Sequence, residues 1–140
     1  MTLEVGYYVA QDAVAHWPEV APLIAQVLPK MDGEFALSDF VDGFAEERFH
    51  LFIGYQDGIV VACMITQLVE YPQYKVLEVP IAAGAGFGKF ITKFRDYIST
   101  WAKVNGAQFL QAYTSPAMTR YHRRFGAQKV YDLIRYPLGD

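Results

Sequence analysis

The chain has 140 residues, 53% hydrophobic and 19% charged, which gives one domain with a sizeable core and excludes both two ordinary domains and a disordered chain. No apolar run reaches the roughly 18 residues of a membrane helix, Met1-Thr2-Leu3-Glu4 lacks the basic and apolar regions of a signal peptide, and the lone Cys63 excludes an internal disulfide and a cysteine zinc site. A cytoplasmic protein is the expectation, and its charge is uneven: residues 1–58 hold 10 Asp/Glu and 2 Lys/Arg (−8), while residues 59–140 hold 5 and 10 (+5), together the −3 of the whole chain.

Leu3–Val9 reads as a short strand rich in Val and Tyr. Asp12–Leu28 has helical spacing in Val14, Trp17, Val20, Ile24 and Val27, but Pro18 and Pro22 predict a late start or a break. Pro29, Asp32 and Gly33 end it. Ser38 is the expected N-cap of a second helix reaching about Arg48. Strands His50–Gln56 and Ile59–Val69 flank Asp57-Gly58, a type I′ hairpin signal. A third strand of the meander, Tyr74–Ile81, leads into a small-residue loop, Ala82–Gly88. Gly88–Asn105 is the clearest helix, with Phe90, Ile91, Phe94, Tyr97, Ile98, Trp101 and Val104 in one stripe before the Asn105-Gly106 stop. Ala107–Tyr113 reads as a strand. Ser115-Pro116 starts a short helix ending near Phe125-Gly126, and Gln128–Tyr136 reads as a last strand. The order is β-α-α-β-β-β-α-β-α-β in a single domain, 1–140.

A glycine-rich loop between a strand and a helix suits phosphate, because bare backbone lets several N–H groups converge beside a positive helix end. A Walker A loop requires Gly at 83 and Ser or Thr at 90, where the chain has Ala83 and Phe90. A dinucleotide GxGxxG requires Gly at 89 after Gly84 and Gly86, where the chain has Lys89. A well-packed turn is the alternative to phosphate binding.

The loop Ala83-Gly84-Ala85-Gly86-Phe87-Gly88 resembles the Gln/Arg-x-x-Gly-x-Gly/Ala loop of the GCN5-related N-acetyltransferase (GNAT) family, with Ala83 in the Gln/Arg place. Downstream, Ala117, Tyr121 and Phe125-Gly126 fall in register with that family's Asn-x-x-Ala-x-x-aliphatic-Tyr-x-x-x-Gly-Phe motif, with Thr114 where Asn is common. The element order matches over nearly the whole chain. The resemblance implies an α/β (α+β) fold: a mixed, mostly antiparallel sheet with helices on both faces. It implies acetyl-CoA as cofactor, held by Val79, Ile81, Gly84, Ala85, Gly86, Phe87, Gly88, Lys89, Thr114 and Ala117. It also implies transfer of an acetyl group to a primary amine by direct attack on the thioester.

Tyr121 stands where the family often places the phenol that protonates the departing thiolate; a packing aromatic is the alternative. Glu78 is the base candidate, since it interrupts Val76-Leu77-Glu78-Val79 just before the loop. Strict alternation puts it on a face with Val76 and Pro80, opposite Leu77, Val79 and Ile81. A structural ion pair is the other reading of that carboxylate.

Glu34, Asp39, Asp42, Glu46 and Glu47 lie in the acidic part that, by the resemblance, walls the acceptor site, and they favour a cationic acceptor, a small molecule or a protein amine. His16, His50 and His122 lack zinc spacing. The cluster Arg120, Arg123 and Arg124 fits CoA phosphates or a solvated face better than nucleic acid. Cys63 reads as a buried packing residue. No nucleic acid or membrane partner is expected, and a homodimer is compatible with the resemblance. Two other functions fit the same fold: a catalytically inactive structural or interaction protein, as in phage gene clusters, and a sensor that binds a CoA ester without turnover.

Overall fold

The computed structural model describes residues 2–84 and 87–139, with side chains for all of these except 87–91. The strands are β1 (Leu3–Val9), β2 (His50–Gln56), β3 (Ile59–Glu70), β4 (Lys75–Gly84) and β5 (Phe109–Gln111). The helices are α1 (Ala10–Val27), α2 (Leu37–Ala45), α3 (Phe87–Val104) and α4 (Pro116–Arg123). The strands form one sheet in the order β1-β2-β3-β4-β5, antiparallel except for the parallel pair β4–β5. The long crossover through α3 is what a parallel pair requires. This is the expected α+β architecture: a mostly antiparallel sheet covered on both faces.

Alternation along the strands divides the core in two. Leu51, Ile53, Cys63 and Ile65 pack with Ala13, Val20 and Ile24 of α1 and with Phe40 and Phe44 of α2. Phe52, Ala62, Met64 and Leu77 face Phe94, Ile98 and Ala102 of α3. Burying each large side chain contributes roughly 1.5–3 kcal/mol, so α1 and α2 are held to one face and α3 to the other. At the hairpin, Asp57 and Gly58 have φ of 51° and 81°, as a type I′ turn demands.

Four local expectations are corrected. Helix α1 runs unbroken through Pro18 and Pro22. Both prolines are exposed, so the carbonyls they leave unbonded face water. Helix α2 starts one residue before Ser38: Asp39, not Ser38, closes its N-terminus, its carboxylate accepting from the Ala36 N–H at 2.7 Å. Strand β4 continues through Ala82, Ala83 and Gly84, which pair with Met64, Cys63 and Ala62, so these three belong to the sheet and not to the loop. A last strand over Gln128–Tyr136 does not form; residues 127–139 carry no regular structure and pair with no strand.

The most consequential irregularity lies in β4. Ile65 pairs with Ile81 and Gln67 with Glu78, so two residues, Val79 and Pro80, oppose the single Thr66. That is a β-bulge, and Pro80, which has no N–H to give a ladder, suits it. The bulge reverses the alternation. Glu78 and Ile81 therefore both lie on the α1/α2 side, whereas strict alternation placed them on opposite faces.

Two predictions follow from the packing. Gly43 lies inside α2, where Ala is ordinarily better by about 1 kcal/mol. Here a Cβ would meet Phe49 Cδ2 at 2.1 Å, and that ring is 2% exposed. Gly43→Ala is expected to lower the unfolding free energy by about 1–3 kcal/mol in urea titration, against the helix-propensity trend. Cys63 is fully buried, and burial pushes its thiol up to about 12. At pH 8 it is expected to resist a disulfide-exchange reagent in the folded chain and to react with one equivalent after unfolding.

Candidate active site

The parallel ladder between β4 and β5 has three register pairs: Val76–Phe109, Leu77–Leu110 and Glu78–Gln111. Beyond Glu78 the bulge bends β4 away, and β5 ends at Gln111. The sheet opens there into a wedge. A cavity of about 490 Å³ occupies it, lined by Glu78 and Pro80 from β4, Tyr113 and Thr114 from the segment after β5, and Lys30, Met31, Asp32, Glu34 and Phe35 from the α1–α2 connection. That volume lies within the usual range for small-molecule sites.

Glu78 is half-buried at the apex of the wedge and is held from both sides. Gln67 Nε2 donates to Oε2 at 2.9 Å, and Gln111 Nε2 donates to Oε1 at 3.1 Å. An ionised carboxylate only accepts, so both amides must present their NH2 groups to it. The second hydrogen of Gln111 Nε2 reaches the Tyr71 hydroxyl at 3.1 Å. Both contacts follow from register, since Gln67 and Gln111 are the cross-strand neighbours of Glu78. The structural ion pair open at the sequence level is not what satisfies this group: among the described contacts its partners are neutral amides.

The cavity gathers three carboxylates, Asp32, Glu34 and Glu78, against one ammonium, Lys30. Of the acidic residues singled out in the sequence, Glu34 lines it. Asp39 is spent on the start of α2 and Glu46 on Arg48 at 2.7 Å. Asp42 and Glu47 do not line it. Asp32 does, and also meets Arg135 from the C-terminal segment.

The remaining expected site residues are more dispersed. Tyr121 lies on α4, edge-on to Phe125 at 5.3 Å, and does not line the cavity. Ala117 is exposed on the same helix. Thr114 lines the cavity, its hydroxyl 2.6 Å from that of Thr119. Val79 packs on the α3 side, and Ile81 is buried on the α1/α2 side. Gly84 ends β4 with φ of 125°, and a Cβ there would stand 2.3 Å from the Val61 carbonyl oxygen; close approach to β3 accounts for this glycine. Ala85 and Gly86 fall outside the described residues. Phe87, Gly88 and Lys89 form the first turn of α3, and their side chains fall outside them too.

Among the described residues no His, Cys, Asp or Glu cluster could hold a metal ion. Burial lowers the His50 pKa, and its ring lies on the opposite face of the sheet with Tyr7 and Trp101. Glu70, at the end of β3, pairs with Lys75 at 3.3 Å, and the adjoining Tyr71 joins the Glu78 chain. Sequence reasoning missed Gln67, Gln111 and Asp32. The signal for Gln67 was a lone amide inside an apolar strand next to that of Glu78; Gln111 shares its predicted strand with Gln108 and carried no such signal.

No protein-family model matches the sequence, and neither does any curated protein sequence. Solved structures do match over nearly the whole chain. An aminoglycoside acetyltransferase from an uncultured soil metagenomic sample, in complex with sisomicin, has a TM-score of 0.72 at 12% identity and covers 98% of this chain and 97% of its own. A ribosomal-protein-alanine N-acetyltransferase from Brucella melitensis biovar Abortus 2308 has 0.75 at 14%, covering 99% and 100%. The aminoglycoside acetyltransferase AAC(6')-Iy, in complex with a CoA–acetylneamine bisubstrate analogue, has 0.75 at 14%, covering 100% of both chains. The chain has the fold of the GCN5-related N-acetyltransferases.

Proposed function

We propose that the protein is an N-acetyltransferase that moves an acetyl group from acetyl-CoA to a cationic primary amine. One observation carries this reading. The only carboxylate on β4, Glu78, is fixed where β4 and β5 part, at the apex of a cavity with two further carboxylates on its wall. Solved structures of this fold include an acetyltransferase bound to an aminoglycoside and one bound to a CoA bisubstrate analogue, and those substrate classes suit a wedge of this polarity.

Acetyl-CoA supplies the thioester that makes the acetyl carbon electrophilic. The residues that suit its pyrophosphate are the backbone amides of the first turn of α3, Phe87–Lys89, where the helix end favours anions. The gap between the diverging strands suits its pantetheine arm.

An amine reaching the cavity arrives protonated and is drawn by Asp32, Glu34 and Glu78. It must lose its proton before its lone pair can attack. Glu78 takes that proton, directly or through one water. The two glutamine donors hold both carboxylate oxygens in place without adding charge, so the base is positioned and remains available. The role of Tyr121 as proton donor to the thiolate rests on the Ala117–Tyr121–Phe125 motif alone.

Gly84 favours a second reading. Its place in the sheet leaves fewer loop residues for phosphate, which suits a catalytically inactive structural or interaction protein that does not bind a CoA ester. Isothermal titration and a thiol-release assay separate the two. Acetyl-CoA is expected to bind, and a polyamine or an aminoglycoside to release CoA thiol at a rate that neutral alcohols do not match. Binding without release from any amine would overturn the enzyme in favour of a sensor, and no binding at millimolar acetyl-CoA would overturn it in favour of the inactive protein. In the active protein, Glu78→Gln is expected to lower kcat about 10²–10³-fold with acetyl-CoA affinity unchanged. Glu34→Gln is expected to raise KM for a polyamine about 3–10-fold while kcat changes little, because it removes attraction and not chemistry.

A further inference from the structure

One acidic corner of the cavity already meets a cation from its own chain. Asp32 and Glu34 both line the cavity, and the Asp32 N–H donates to Glu34 Oε1 at 2.8 Å, which gathers the two carboxylates on the α1–α2 connection. Like charges side by side repel, and a cation beside them relieves that repulsion. Lys30 shares the cavity wall but pairs with neither among the described residues. The cation that Asp32 does meet comes from far along the chain: Arg135 Nη1 donates to Asp32 Oδ2. Arg135 does not itself line the cavity, so its guanidinium covers charge without filling space.

Little else holds the segment that carries Arg135. Residues 128–139 have no regular structure, pair with no strand and bury no side chain. Their other ion pair, Lys129–Asp132 at 2.8 Å, is local to the segment. Among the described residues, Arg135–Asp32 is therefore the one polar contact between this segment and the rest of the chain. Its side chains are 53% and 78% exposed, and an ion pair so open to water holds weakly. A guanidinium stays charged at every working pH, so the contact yields to a competing cation or to salt and not to a proton.

We propose that Arg135 is an internal competitor of the acceptor: its guanidinium occupies the cation subsite at Asp32 and Glu34, and a polycationic acceptor opens the full cavity by displacing it. This role rests on the reading of the cavity as the site of a cationic amine, and it adds a regulation of that site. A ligand shifts such an equilibrium by its differential affinity for the two states. A molecule with two or more ammonium groups meets Glu78 with one and Asp32 with another, so it favours the open state. A cation that meets Glu78 alone leaves Arg135 where it is. The tethered guanidinium competes at an effective concentration set by the stretch from Gly126 to Arg135, so it lowers affinity for the acceptor without abolishing it.

Isothermal titration of the full chain with spermidine, at low salt and without acetyl-CoA, tests this apart from any turnover. Arg135→Gln is expected to tighten binding about 2–5-fold, the most that an exposed ion pair holds back. Asp32→Asn is expected to weaken binding, and Arg135→Gln added to it to change nothing further. Both side chains are exposed, so the variants are expected to fold as the parent does. An unchanged affinity in Arg135→Gln overturns the proposal. So does an equal tightening on the Asp32→Asn background, which would mean that net charge alone matters. Tryptic cleavage after Arg135, referred to cleavage after Lys129 in the same segment, reads the contact with no acceptor present. Asp32→Asn is expected to speed it about 2–5-fold, and an unchanged ratio overturns the proposal. Tightening in Arg135→Gln without thiol release once acetyl-CoA is added would support the competitor and overturn acetyl transfer. Spermidine bound by neither the wild type nor Arg135→Gln would overturn the cationic site and its competitor together.

Discussion

The geometry of the site depends on one extra residue in β4. Two residues, Val79 and Pro80, oppose Thr66, and a strand cannot take up an extra residue without bending and reversing its faces. The reversal keeps Ile81 and Ala83 in the α1/α2 core while Leu77 stays under α3. The bend limits the parallel ladder to three pairs. Beyond them the strands part, and the wedge so made is the only way a half-buried Glu78 gains a cavity and not a wall of side chains. Fold and site share one cause. A regular β4 would place Ile81 on the α3 face and extend the ladder across the place where a substrate must enter.

How much of this was legible in the sequence depends on how local each cause is. The hairpin was legible because Asp57-Gly58 sets its own dihedrals. Helix α3 was legible because its stripe repeats over eighteen residues, and Ser115-Pro116 was legible because the cap bond is made within the helix itself, from Met118 N to Ser115 Oγ. Glu78 stood out as a charge in an apolar strand. Its partners did not, because Gln67 and Gln111 become its neighbours only through register, which is set by pairings 11 and 33 residues away. The bulge was hidden for the same reason: Pro80 marks the place, but only the opposing Thr66 shows that a residue is supernumerary. Ala82–Gly84 read as loop because small residues signal turns. They pair with β3 instead, and Gly84 is small because a Cβ there would stand 2.3 Å from the Val61 carbonyl oxygen.

The helix α1 reading failed in a different way. Proline penalties are stated for a helix interior, yet their size depends on where the orphaned carbonyl points. On the solvent face of a helix held by Ala13, Val20 and Ile24, water takes up what the ladder loses. The strand expected over Gln128–Tyr136 was correct in propensity and still did not form, because strand propensity is a statement about fitting a covered, paired surface. Residues 128–136 pair with no strand of the sheet.

The charge division along the chain takes a narrower meaning at the cavity. Part of the acidic excess of residues 1–58 is spent elsewhere, Asp39 on the start of α2 and Glu46 on Arg48. What reaches the site is Asp32 and Glu34, carried by the one connection that crosses the mouth of the wedge, and they join a single carboxylate from the second part of the chain. Attraction for a cation there depends on position, since screening removes most of the influence of exposed charges more than about 8–10 Å away. Asp32 is the member of the three that a basic residue of the same chain already meets. The cavity therefore presents its full negative charge only when Arg135 is elsewhere, which ties the electrostatics of the acceptor side to the placement of the tail.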